Sequence, residues 1–118
     1  MIAFTPAGRL AQLRRLARAG VTLGLYTNAD APERFREPSV AEYAPIPLEA
    51  GDWQIDTGAE TASLAERGWT FTSDIPQVVG WFARGEGGQV EFWEPFAQPI
   101  HINQIGDQIK VAITISPV

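Results

Sequence analysis

The chain has 118 residues, 45% apolar and 19% charged, a composition that fits one folded domain and excludes a disordered or fibrous chain. It holds no cysteine, so disulfides and thiolate metal sites are excluded. The net charge of −5 is uneven: residues 1–20 carry four arginines and no acid, whereas residues 21–118 carry five basic against fourteen acidic groups, an acidic body that disfavours nucleic acid.

The first predicted element is a helix over residues 6–19. Thr5 is placed as its N-cap and Pro6 at its first position, with Gly20 as the stop. Leu10, Leu13, Leu16 and Ala17 form one apolar stripe, and Arg9, Arg14, Arg15 and Arg18 lie mostly off it. Four arginines without an apolar core do not make a signal peptide. No run approaches the roughly 18 apolar residues of a membrane helix. The expectation is a chain made in the cytoplasm, with no membrane partner.

After Gly20 the pattern turns to β. Val21–Tyr26 reads as a strand with Val21, Leu23 and Leu25 on one face. Thr27–Pro32 is turn-rich, and residues 33–41 are polar and irregular. Tyr43–Leu48 is extended, its two prolines placing it on a sheet edge or in a polyproline-like segment. Trp53–Asp56 is a short strand, Ala59–Leu64 a weaker one, and Trp69–Thr72 a half-buried one ended by Ile75-Pro76.

Val78–Arg84 and Gln89–Glu94 are strands joined by Gly85-Glu86-Gly87-Gly88, a hairpin turn requiring positive φ. The turn Gly106-Asp107 precedes a last alternating strand, Gln108–Ile115. The expected fold is mainly β: an antiparallel, jelly-roll-like β-sandwich of seven or eight short strands with one N-terminal α-helix. Residues 1–20 form an amphipathic helical arm and residues 21–118 a single sandwich domain.

Residues suited to chemistry are scattered. His101 is the sole histidine, and no Gly-x-Ser-x-Gly elbow accompanies it, so a surface or interface role is expected. Glu91 and Glu94 flank Phe92-Trp93, but a spacing of three turns them to opposite faces of a strand, against a glycosidase-type pair. Asp30, Asp52, Asp56 and Asp107 lack the spacing of a calcium loop. The glycine-rich turn lacks the Gly-Lys-Ser/Thr ending of a phosphate loop.

No catalytic, cofactor or metal residues are therefore expected. Most of the four tryptophans belong to the core, with one or two as interface anchors; the candidates for partner binding are Arg9, Arg14, Arg15, Arg18, Trp53 and Trp93.

Several segments together resemble a family of small β proteins encoded by tailed bacteriophages. They are Leu23-Gly24-Leu25-Tyr26-Thr27-Asn28, Glu42-Tyr43-Ala44-Pro45, Trp69-Thr70-Phe71-Thr72, Val79-Gly80-Trp81-Phe82, Phe92-Trp93-Glu94-Pro95-Phe96 and Gly106-Asp107-Gln108-Ile109-Lys110-Val111. Glu42 stands where the family has glycine, and Pro95 is a further departure.

The resemblance implies a virion structural protein rather than an enzyme, with no cofactor. The expected role is a capsid decoration (cement) protein that docks as a homo-oligomer on the major capsid protein or other virion proteins and stabilises the head. The alternative is a tail, baseplate or fibre module used in assembly or in binding host-surface glycans.

Overall fold

The computed structural model describes residues 21–56, 58, 61–85 and 87–115. The helix expected at residues 6–19 lies outside them. Seven strands follow in chain order: β1 (Val21–Tyr26), β2 (Ile46–Leu48), β3 (Trp53–Asp56), β4 (Thr61–Thr70), β5 (Ile75–Arg84), β6 (Val90–Ile102) and β7 (Gln108–Ile115). Two one-turn 3-10 helices, Pro32–Arg34 and Ala50–Asp52, interrupt the loops.

The strands build two antiparallel sheets, one of order β2-β1-β5-β6 and one of order β3-β4-β7, in a sandwich-like arrangement. Every directly paired neighbour is antiparallel; β3–β4 and β5–β6, the latter through Gly85–Gly88, are hairpins, whereas β1–β5 and β4–β7 pair across intervening strands of the chain. Gly88 there has φ +78° and Gly106 in the β6–β7 turn has φ +93°, left-handed backbone that glycine adopts without a Cβ clash.

Alternation decides what is buried. Val21, Leu23 and Leu25 of β1 face Trp81 and Ala83 of β5, Leu64 and Trp69 of β4, and Ile109, Val111 and Ile113 of β7 in one core cluster. Phe92 sits at its centre, its ring edge-on to Trp53 at 6.4 Å and to Trp81 at 5.8 Å between centroids. Phe71 is fully buried. Burial of one such ring contributes about 2–3 kcal/mol.

Three expectations from the sequence need correction. The two strands expected at Ala59–Leu64 and Trp69–Thr72 are one strand, β4, which ends at Thr70. Its polar middle, Ala65-Glu66-Arg67, accommodates a register shift between Leu64 and Arg67. Nor does Pro76 break the chain: β5 runs through it, with ladder partners only on either side, Ile75 opposite Ile102 and Val78 opposite Ile100. Finally, β6 is thirteen residues long and absorbs both Pro95 and Pro99. It can do so because it lies on a sheet edge, where a missing N–H costs no ladder bond.

Candidate partner-binding face

The outer surface of the four-stranded sheet carries a second, smaller aromatic layer. It is founded on two glycines. A Cβ at Gly24 would collide with the Phe82 ring, and one at Gly80 would collide with the Tyr26 hydroxyl and the Glu94 carbonyl. Gly24 is paired with Phe82 across the ladder, and Tyr26 with Gly80. Each aromatic therefore lies down over the glycine opposite it, and Tyr26 and Phe82 are both buried although they face away from the main core.

The β1–β2 connection closes over this pair. Its Phe35 ring stacks on Tyr26 at 3.8 Å with an interplanar angle of 3° and lies 5.9 Å from Phe82. Trp93, the cross-strand neighbour of Phe82, meets Phe35 edge-on at 6.3 Å. The Arg84 guanidinium stands 4.8 Å from the Phe82 centroid, within cation–π range. Burial, and then the Glu94 charge, push the Tyr26 phenol above its ordinary pKa.

Side-chain bonds fasten the connection. Asn28 donates to the Arg34 carbonyl at 2.9 Å and accepts from the Arg36 amide at 2.7 Å, fixing the loop that delivers Phe35. The Tyr43 hydroxyl accepts from the Leu25 amide at 3.1 Å and donates to Glu37 at 2.6 Å. Burial first, then the Glu37 carboxylate, hold that phenol far above its usual pKa, so it stays a donor. Trp69 donates to the Ala44 carbonyl at 2.8 Å. Glu42 accepts from the amides of Thr72 and Ser73, each at 2.7 Å, and these bonds lower its pKa to about 2.

The outcome is a packed aromatic platform with one large ring left partly in solvent. Trp93 is 41% exposed, and among the described residues only Ile105, in the β6–β7 turn, is also a large exposed apolar side chain. Trp53, the other tryptophan expected at an interface, is 5% exposed within the core. Its indole N–H meets no acceptor among the described residues. Arg9, Arg14, Arg15 and Arg18 lie outside the described residues.

The polar candidates do not converge. His101 Nε2 lies 3.2 Å from Asp74 Oδ1 with both side chains more than half exposed. Asp74 also borders a cleft of about 300 Å³ beside Thr27, Glu37 and Gln77. Glu94 is opposite Trp81, whereas Glu91 occupies a bulge in β6 and its carboxylate lies against Gly85. Asp30, Asp52 and Asp107 each cap local backbone amides. No group of three His, Asp or Glu among the described residues is placed to hold a metal ion.

The sequence reading missed Phe35, which lay in a segment judged polar and irregular, and with it Tyr26, Phe82 and Arg84. The available signal was the Gly24-x-Tyr26 and Gly80-x-Phe82 spacing: a strand glycine two residues from an aromatic, on paired strands. No family model, no curated protein and no solved structure matches the chain.

Proposed function

We propose that this chain is a bacteriophage virion structural protein, a capsid decoration protein that docks on the major capsid protein and stabilises the head. The observation that carries this reading is Trp93. A tryptophan left 41% exposed while its ring is held edge-on to Phe35 suits an anchor for another surface, because part of its side-chain freedom is already lost before it is covered.

The resemblance to phage β proteins supplies the context. Its segments fall on the joints of this fold: Tyr26 and Phe82 in the outer layer, Tyr43 in the loop fastening, and Gly106-Asp107 in the last turn. Repetition on a shell turns one modest contact per subunit into firm attachment.

The finer architecture belonging to this reading is a jelly-roll-like sandwich. What supports it is that the chain changes sheet after β2, β4 and β6. The protein works by binding rather than by catalysis. Among the described residues, the groups with displaced pKa, Tyr26, Glu42 and Tyr43, are committed to packing or to backbone amides.

Quantifying the protein in purified particles tests the reading. Hundreds of copies per virion are expected; a dozen or fewer would move it to the tail. Trp93→Ala should lower occupancy on the particle while the fold survives, and Arg14, Arg15 and Arg18 changed together to Glu should lower it as well.

A second reading, a tail or fibre module that binds host-surface glycans, is favoured by the same exposed indole, on which a sugar ring can stack. Quenching of tryptophan fluorescence by host glycans, lost in Trp93→Ala, would establish it in place of the first.

A further inference from the structure

We propose that β7 is a self-recognition strand: two copies pair antiparallel along β7, about a two-fold axis at Ala112, to form one continuous sheet of three strands from each copy. The inference deepens the reading of a homo-oligomeric virion protein by naming the self-contact, and it is tested without a virion.

Among the described residues the two sheets have four edge strands, and three of them are guarded. β2 is three residues long and contains Pro47; β6 contains Pro95 and Pro99 and three register shifts against β5; β3 is four residues long. Short length, proline and bulges are the usual devices that stop an edge from pairing with another chain. β7 is neither short nor proline-bearing, and in its one register shift, opposite Ala112, the extra residue lies on β4, so β7 itself stays regular. It is eight residues, Gln-Ile-Lys-Val-Ala-Ile-Thr-Ile, without proline or glycine, and among the described residues it pairs only with β4. The register shift in that pair falls between Leu64 and Arg67 and leaves residues 108–111 of β7 in regular opposition to 67–70. The one charge on the strand, Lys110, reaches toward Glu66 of β4, 3.8 Å away.

The backbone polarity follows from the ladder. The Phe71 amide donates to the Asp107 carbonyl at 2.8 Å, so residues in step with Asp107 direct their peptide groups to β4. Gln108, Lys110, Ala112 and Thr114 then direct theirs away from β4, to a side that no other described strand occupies. Their side chains are exposed, while Ile109, Val111 and Ile113 face the core.

A two-fold axis normal to the sheet keeps inward residues inward, so only registers in which a residue meets another of the same face are allowed. With the axis at Ala112, Ala112 meets itself, Lys110 meets Thr114 and Val111 meets Ile113. The hydrogen-bonding groups of both strands coincide, the core row continues across the axis, and no like charges are opposed.

Light scattering and sedimentation on the purified full chain test the proposal. A dimer is expected at micromolar concentration. Ala112→Lys sets like charges opposite each other and should weaken it by about tenfold or more. Ala112→Pro removes an N–H aimed away from β4 and should also release monomers. Ala112→Ser should leave the dimer intact. Near-ultraviolet circular dichroism confirms that each variant is folded.

Hydrogen exchange gives a readout that needs no variant. The Lys110, Ala112 and Thr114 amides should be protected when concentrated and lose protection on dilution, while the Val111 amide stays protected throughout. A native chain that remains monomeric, or a dimer indifferent to both Ala112→Lys and Ala112→Pro, overturns the proposal. A dimer that is absent from purified virions would leave the β7 contact standing and sink the virion reading instead.

Discussion

The two sheets share one core but treat their outer surfaces differently. On the three-stranded sheet, Thr70, Gln108, Lys110, Ala112 and Thr114 stand in solvent, and along β7 buried and exposed residues alternate without a break. On the four-stranded sheet the outward row contains Gly24, Tyr26, Gly80 and Phe82, and all four are buried. A loop covers it, and Phe35 is the contact that seals it. A sheet face does not have to be polar if its connection is long enough to fold back over it. The site then forms at the margin of the cover, where Trp93 emerges.

The largest test of this contrast is to empty the outer layer. Phe82→Ala should cost about 3–5 kcal/mol, as in a main core, whereas Thr70→Ala on the other outer face should change stability by less than about 0.5 kcal/mol; denaturant unfolding measures both. Overfilling the layer comes next. Gly80→Ala should cost about 2–3 kcal/mol, since the added carbon meets both a backbone carbonyl and the Tyr26 ring. Gly68→Ala, against the flexible Lys110 stem at 3.3 Å, should be nearly neutral in the same assay. Equal losses at the two glycines would erase the distinction between the faces.

Phe35→Ala should cost about 1–2 kcal/mol, because the ring is only half-buried and its main partner is Tyr26. It should also increase the exposure of Tyr26 to solvent quenchers. The smallest effect is the pH dependence of the loop fastening. Glu42 has its pKa lowered from 4.5 to about 2, so its contribution is present above about 4.5 and is lost as pH falls toward 2. Glu42→Gln should be slightly less stable than the native chain at neutral pH. That difference should shrink between about pH 5 and pH 2; a constant gap would mean that the carboxylate charge is not what holds Thr72 and Ser73.

Much of the three-stranded sheet was legible in the sequence because its outward positions are polar. Ile109, Val111 and Ile113 announce their face by period alone, and Pro45 and Pro47 place the segment around β2 on an edge as expected. The four-stranded sheet was legible only on its inner side. Tyr26 falls off the face of Val21, Leu23 and Leu25, and a period of two does not say whether that second face is open or covered. The cover rests on a pair of bonds to Asn28 and a stack on Tyr26, neither of which leaves a periodic trace. β4 was divided for a similar reason: at its register shift the alternation changes phase, and the strand reads as two weak ones. Trp93 was named from the sequence as a candidate anchor, but its neighbours Phe35 and Arg84 were not, since they join it only through the fold.

The fastenings of the β1–β2 connection have a consequence for the order in which the chain assembles. Glu42 closes on residues 30 and 31 positions away, Trp69 reaches Ala44 across 25, and Gln77 reaches Thr27 across 50. Each closure must await strands made later in the chain, so these contacts belong to the native side of the folding barrier. Changes at Glu42 or Gln77 should quicken unfolding and leave the folding arm of a chevron plot almost unmoved. The cover is in that sense expected to act as a latch, governing how long the fold lasts more than how it is reached.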